Sequence, residues 1–382
     1  MSMPSNQDEV VSLAMRLMER PSVTPDDAGC QELIADQLAT AGCSIRHLPF
    51  GQVSNLFAWH GQGAPLLCLA GHTDVVPPGP LHRWRTNPFT PTLRDGRLYG
   101  RGAADMKGAV AAMVVAMKRF VHAHPNHRGT IALLLTSDEE GPATDGTAMA
   151  LRVLRDEGWV MDFALVGEPS SEDQLGDVIK VGRRGSLSAA CTIFGKQGHV
   201  AYPNKAANPI HMALPALQAL ASHDFADGSG LFAPTSLQLT NIHAGVGADN
   251  VIPAELEVRL NCRFPPPTTA SQVQQLIAAM LEQHHLNYAL QWTEGAQPFL
   301  SVQGRLLQAL SGAASAVTGI TPRLSTAGGT SDGRFFHAHS AEVAELGPRN
   351  ESSHQIDEWV IPAELGLLAT IYQDTCYRLL AA

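Results

Sequence analysis

The residues best equipped for chemistry stand where short apolar runs stop. Residues 66–70 are apolar and close on Gly71-His72-Thr73-Asp74, as a buried strand does on reaching a loop. A histidine there can be a metal ligand, with the Asp two residues on as the acceptor its second ring nitrogen needs. Residues 130–136 form a second such run, followed by Ser137-Asp138-Glu139-Glu140-Gly141. A third, 163–166, ends on Gly167-Glu168-Pro169. Asp105, within Gly-Arg-Gly-Ala-Ala-Asp-Met-Lys-Gly108, stands where a helix through Val110, Met113, Val114 and Met117 begins. Taken alone it reads first as a helix-capping Asp. His354 comes late, in the segment 350–357.

Collected, His72, Asp105, Glu140, Glu168 and His354 offer imidazole and carboxylate without thiolate. That donor set suits zinc, cobalt or manganese and not a Cys-type structural zinc site. Five ligands exceed one tetrahedral ion and fit two if one carboxylate bridges. Two ions about 3.5–4 Å apart can acidify a water and clamp the oxygens of a displacement. Side chains of adjacent residues on an extended segment diverge. Glu140 can therefore face the ions while Glu139 reaches the water as a general base. On spacing alone, an exposed acidic turn fits Glu139-Glu140 equally well.

These groups need a frame. Helical periodicity over 8–20, 31–41, 108–117 and 147–157, alternating with the strands, predicts an α/β, doubly wound mixed sheet whose ligands bind beyond the carboxyl ends of its strands. From 75 to 107 runs a Pro- and Gly-rich passage, with a tight hairpin expected at Asp95-Gly96. The pattern then changes. Strands over 186–194, 235–242, 255–264 and 287–292 with helices over 209–221 and 272–284 suggest an inserted two-layer α+β domain. The expected division is 1–182, 183–297 and 298–382. The first domain resumes with a helix over 303–318, the loop 327–334, a strand over 342–346 and a closing helix from 363.

The chain has 382 residues, 45% of them hydrophobic, and a formal net charge of −10. That charge argues against nucleic acid or an anionic membrane as partner. The first fifteen residues hold no Lys or Arg, so no signal peptide is predicted. No apolar stretch approaches the ~18–20 residues that span a bilayer. Six scattered cysteines, without CxxC spacing, read as reduced structural thiols in a cytoplasmic protein.

Gly-His72-Thr-Asp74, Gly-Arg-Gly-Ala-Ala-Asp105-Met-Lys-Gly, Ser-Asp-Glu139-Glu140-Gly, Gly-Glu168-Pro and a late His354, in that order, closely resemble the co-catalytic zinc exopeptidases and deacylases, the aminoacylase- and carboxypeptidase-like family. The likeness covers nearly the whole chain. It implies Asp105 as the bridge, His72 and Glu168 on one zinc, and Glu140 and His354 on the other. It further implies Asp74 as partner of His72 and Glu139 as the base. Cobalt or manganese at one site is compatible with the donors. His199, in Gln-Gly-His-Val-Ala-Tyr-Pro, resembles the family's oxyanion-stabilising His that reaches the partner subunit's site. The inserted domain would then be a dimerisation lid, the protein a homodimer, and the peptide after Asp105 cis. One departure is visible: the last ligand segment reads His354-Gln-Ile-Asp357-Glu, where the family more usually has Asn before the Glu.

Val-Gly-Arg183-Arg184-Gly-Ser186, Asp249-Asn250-Val-Ile-Pro and Ala-Gly-Gly-Thr330-Ser-Asp-Gly-Arg334-Phe narrow the resemblance to members that remove succinate from N-succinyl-LL-2,6-diaminopimelate, a step of lysine biosynthesis. Acetylornithine deacetylation and dipeptide cleavage are the near alternatives, a catalytically silent metal-binding scaffold the remote one. A substrate with three carboxylates wants bidentate Arg groups. Arg183, Arg263 and Arg334 stand beside the matched motifs, and the resemblance sets Lys180, Ser186, Tyr202, Asn250, Thr330 and Asn350 around the substrate with them. His122, His124 and His127, in a Pro-Asn turn, read as a solvated loop, as do His284-His285 and His337/His339. Gly328-Gly329 lacks the Gly-Lys-Ser/Thr of a phosphate loop and reads as a close approach of backbone to substrate.

Overall fold

Strand Leu66–His72 is buried at every position and lies inside an eight-stranded mixed sheet. The computed structural model describes residues 6–339 and 341–381. Thr130–Thr136 and Phe163–Val166 flank Leu66–His72 in parallel, and Glu342–Glu345 runs parallel to Phe163–Val166. These four strands share one direction, so their carboxyl ends open along one edge of the sheet. Asn55–Gly61 and Ser44–His47 extend it antiparallel beyond Thr130–Thr136. Val178–Lys180 and Arg323–Ser325, parallel to each other, complete the far side.

Helix Gly108–Ala123 is buried on all sides from Gly108 to Met117, which its Ala, Val and Met content permits and which makes it a core element. Asn6–Met18 and Pro362–Leu380 pack on it, and Arg305–Thr318 packs on Pro362–Leu380. Thr147–Asp156 and Gly333–Ala338 pack on each other and against the sheet. Asp95-Gly96 turns the hairpin Thr92–Arg94/Arg97–Tyr99 as expected, both with positive φ (51° and 73°).

One compact unit comprises Met1–Gly182, Ser301–Ser325 and Ser331–Ala382; the other comprises Arg183–Leu300 with Thr326–Thr330. In the second, Ser236–Ala244, Glu255–Phe264, Gly185–Phe194 and Tyr288–Ala296 form an antiparallel sheet in that order. Leu187, Ala189, Cys191 and Ile193 alternate onto one face. There they meet helices Pro209–Ser222 and Ala270–Gln283 through Ala213, Leu217, Val273 and Ile277. Asn208 caps the first helix, and a Thr269/Gln272 capping box starts the second.

Some features were not visible in the sequence. Val178–Lys180 and Arg323–Ser325 are three residues each, too short to show a period. The expected loop 327–334 divides: residues 327–330 belong to the second unit together with Thr326, whose hydroxyl donates to the Leu231 carbonyl at 2.6 Å, while Ser331 onward belongs to the first and a helix starts at Gly333. The histidine turn is not a wholly solvated loop. His122 is exposed, but His124 and His127 pack on Phe120, and a ring nitrogen of His60 lies 2.9 Å from His127 Nε2. All six cysteines are free and buried. Among the described residues no helix is long and apolar enough to cross a membrane.

Candidate metal centre

The strand ends bring the predicted groups together. His72 is fully buried, and its Nδ1–H donates to the Asp74 carbonyl at 2.9 Å, leaving Nε2 as the ligating nitrogen. Nε2 lies 3.2 Å from Asp105 Oδ1 and 3.6 Å from Glu168 Oε1. The acceptor that orients His72 is thus the Asp74 main chain. The Asp74 carboxylate, 3.6 Å from Nδ1, accepts the amides of Glu139 at 3.4 Å and Glu140 at 3.1 Å. One residue therefore braces both the imidazole and the Glu-Glu turn. That turn is half-buried, not an exposed acidic loop.

Asp105 caps no helix. Helix Gly108–Ala123 follows a tight turn, Ala103–Lys107, and has no side-chain cap. The peptide after Asp105 is cis. Its two oxygens diverge: Oδ1 faces His72, and Oδ2 lies 3.3 Å from His354 Nε2. His354, at φ 63°, also bonds Glu140 Oε1 at 2.8 Å. Gly71 and Gly167 make the close approach of this turn workable, since a Cβ on either would collide with the buried Met106 side chain. Gly71→Ala should therefore cost roughly 1–3 kcal/mol by overpacking. Gly71→Ala/Met106→Ala should recover part of the loss in a thermal double-mutant cycle, whereas strict additivity would refute the contact.

Burial alone would lower the pKa of His72, but the hydrogen bond to Asp105 and the charges of Glu168 and Asp74 hold it well above the imidazole range. His354 is pushed up to about 10 by its bonds to Asp105 and Glu140. Burial would raise Asp105, yet bonds from His354 and His72 keep it below the usual carboxylate range. Glu168 is raised by burial and by Asp105 and Glu139. Glu139 is raised by burial and, against the pull of His72, by Asp332, Glu140 and Asp105. Carboxylates outnumber imidazoles here, and buried Glu168 Oε1 has no hydrogen-bond partner.

This is the signature of a cation site. Donors on an ion with bonds of about 2.0–2.2 Å stand roughly 3.3 Å apart, close to the spacings of His72, Asp105, Glu168 and His354. Oxygen and nitrogen atoms of His72, Asp105 and Glu140 lie within 4.8 Å of one another, as do those of His72, Glu139 and Glu168. The two groups overlap at His72, and their imidazole and carboxylate donors fit a divalent cation.

Sequence reasoning passed over Glu358 and Arg101. Glu358, fully buried, bonds the Arg101 guanidinium at 2.7 Å and accepts three amides of the Asp105 turn. The departure at Asp357 also has a structural place. It sits at φ 59°, accepts the Arg85 amide at 2.8 Å and lies 3.3 Å from Arg85 Nε. Both Asn and Asp tolerate that backbone, but only Asp adds the charge pair.

The substrate candidates divide between the units. In the first, Lys180 is buried with Nζ 3.3 Å from Ser325 Oγ, Arg334 stacks on Phe335, and Asn350 is exposed. In the second, Arg183 is buried and donates to the Ala327 carbonyl at 3.2 Å, filling the space beside Gly328. A Cβ added at Gly328 would meet that guanidinium. Arg263 and Ser186 share Asn261 on the open face of the sheet, and Thr330 is half-buried. His199, Tyr202 and Asn250 are exposed. The Ala201 amide donates to His199 Nδ1 at 3.1 Å, so the neutral ring carries its proton on Nε2.

A doubly wound sheet whose parallel strand ends converge imidazoles and carboxylates frames a candidate metal centre, and the family to which the chain belongs makes it that of a metal-dependent hydrolase. The family model described as peptidase family M20/M25/M40 matches residues 68–378, and the chain belongs to that family. Among curated proteins it is 53% identical over 373 residues to a succinyl-diaminopimelate desuccinylase of Xylella fastidiosa (strain M12), covering 98% of this chain and 99% of that one. It is 52% identical over 372 residues to the protein of that name from Xanthomonas euvesicatoria pv. vesicatoria (strain 85-10), covering 97% and 99%. The fold matches that of an M20 metallo-carboxypeptidase from Sulfolobus solfataricus with a TM-score of 0.83 at 16% identity, covering 97% of this chain and 99% of that one. It also matches a dinuclear metal-binding M20 peptidase from Bacillus subtilis, with a TM-score of 0.74 at 15% identity and 97% of each chain covered.

Proposed function

We propose that the chain hydrolyses the amide of N-succinyl-LL-2,6-diaminopimelate, releasing succinate and LL-2,6-diaminopimelate for lysine and diaminopimelate synthesis. The observation that carries the chemistry is Asp105, one oxygen toward each imidazole. The substrate follows from relatives more than half identical over the full chain. His72 and Glu168 would hold one ion with Asp105, and Glu140 and His354 the other. Zinc is the first choice, with cobalt or manganese an alternative at one site. When bound, such ions polarise a carbonyl and make water nucleophilic near neutral pH.

Glu139 takes the proton from the attacking water and returns it to the departing amine nitrogen. His199 Nε2–H donates to the oxygen on which charge develops. Its exposure within a single chain supports a donor lent to a second copy. The second unit, with Ile242, Leu214 and Val246 more than half exposed, would then carry a homodimer interface. Arg183, Arg263 and Arg334 meet the substrate carboxylates, with Lys180, Ser186, Tyr202, Asn250, Thr330 and Asn350 as hydrogen-bond partners. Six free, buried thiols accord with a cytoplasmic enzyme.

The test is hydrolysis of N-succinyl-LL-2,6-diaminopimelate and N-acetylornithine side by side, with zinc restored. A large preference for the succinyl substrate, with competitive inhibition by succinate, is expected. Preference for the acetyl substrate would overturn the role of the three arginines and leave the centre intact.

A further inference from the structure

We propose that Glu358 is a positioning residue for the metal centre, gripping the turn before Asp105 from the loop that carries His354. The inference rests on the two-ion reading above. Glu358 Oε1 accepts the amides of Ala104 at 2.8 Å and Asp105 at 3.0 Å. Oε2 accepts the amide of Gly102 at 3.0 Å and Arg101 Nη1 at 2.7 Å. The Glu358 carbonyl accepts the Gly100 amide at 2.9 Å. Every one of these partners lies within the six residues that end at Asp105.

The other end of the grip is equally defined. Ser352 Oγ donates to the Trp359 carbonyl at 2.7 Å and accepts the Trp359 amide at 3.0 Å, closing the loop that holds both His354 and Glu358. The two ligands that approach Glu140 and each other are thereby fastened by a single side chain, four residues from one and bonded to the amide of the other. Only a carboxylate suits the position, because four donors converge on it and a Gln amide would turn its NH2 against two of them. Arg101, buried to 2% exposure and lying 5.1 Å from the Trp84 ring centroid, compensates the charge.

The test is cobalt binding, read by chelator competition and by the absorption spectrum of the loaded protein, with the melting temperature of the metal-free chain as a control for folding. Glu358→Gln should weaken both ions by about 10–100-fold, as loss of an outer partner does, and alter the spectrum. Glu358→Asp should recover part of the affinity. A Glu358→Gln chain with wild-type affinities and spectrum would overturn the inference, even if its metal-free melting temperature fell. Should Glu358→Gln fail to fold, Arg101→Met decides: weaker binding of both ions supports positioning, and unchanged binding refutes it. Wild type and Asp105→Ala run alongside separate the two claims. Two ions in the first and loss in the second uphold the centre whatever Glu358 does, whereas wild type that takes up no cobalt overturns the centre and this inference together.

Discussion

Glu139→Gln lowers turnover by about 10²–10⁴-fold, the span general acid–base catalysis supplies, while the chain still binds two divalent ions. Gln has the shape of Glu but cannot accept the proton. The Glu139 amide, held by Asp74 Oδ1, is untouched by the change, so the turn and the neighbouring Glu140 keep their places. The five proposed ligands are all still present. Metal analysis and single-turnover kinetics on one preparation make the check. If turnover survives, Glu139 is no base. If metal content falls instead, Glu139 is a ligand, a role its closeness to His72 and Glu168 would permit.

Asp105→Ala removes both ions and takes activity to that of the metal-free protein. Because its two oxygens face different imidazoles, one substitution strips an oxygen from each position. Glu168→Ala should act on one position only and leave close to one ion per chain. Atomic absorption on the two variants distinguishes a shared carboxylate from two separate sites. Equal loss in both would refute the bridge.

Much of this centre was legible before folding. Strand ends concentrate function in doubly wound sheets, and His72, Glu140 and Glu168 each follow a run apolar enough to be recognised. Asp105 and His354 were legible through motif order. The role of Glu358 was not: the sequence shows it only as the Glu that closes the His354 motif, and its burial against the amides of Gly102, Ala104 and Asp105 is what marks it. The nearest signal, the unusual Asp357, stood one residue away. Asp74 illustrates a different blindness. Its side chain suggested the partner of His72, whereas the shortest bond comes from its carbonyl, which any residue could provide. Strands Val178–Lys180 and Arg323–Ser325 escaped because three residues carry no usable period.

The distances along the chain between these bonded groups bear on synthesis. His354 and Glu140 are 214 residues apart, and Arg101 and Glu358 are 257. The second unit, with its own core and antiparallel sheet, is translated between them. On the ribosome, domains generally fold as units as they emerge, so this unit can settle before the last ligand exists. A nascent chain then has three carboxylates and one imidazole but no anchored turn at Asp105. The centre is assembled last, and an unfinished chain carries neither a complete metal trap nor an uncontrolled hydrolase into the cell.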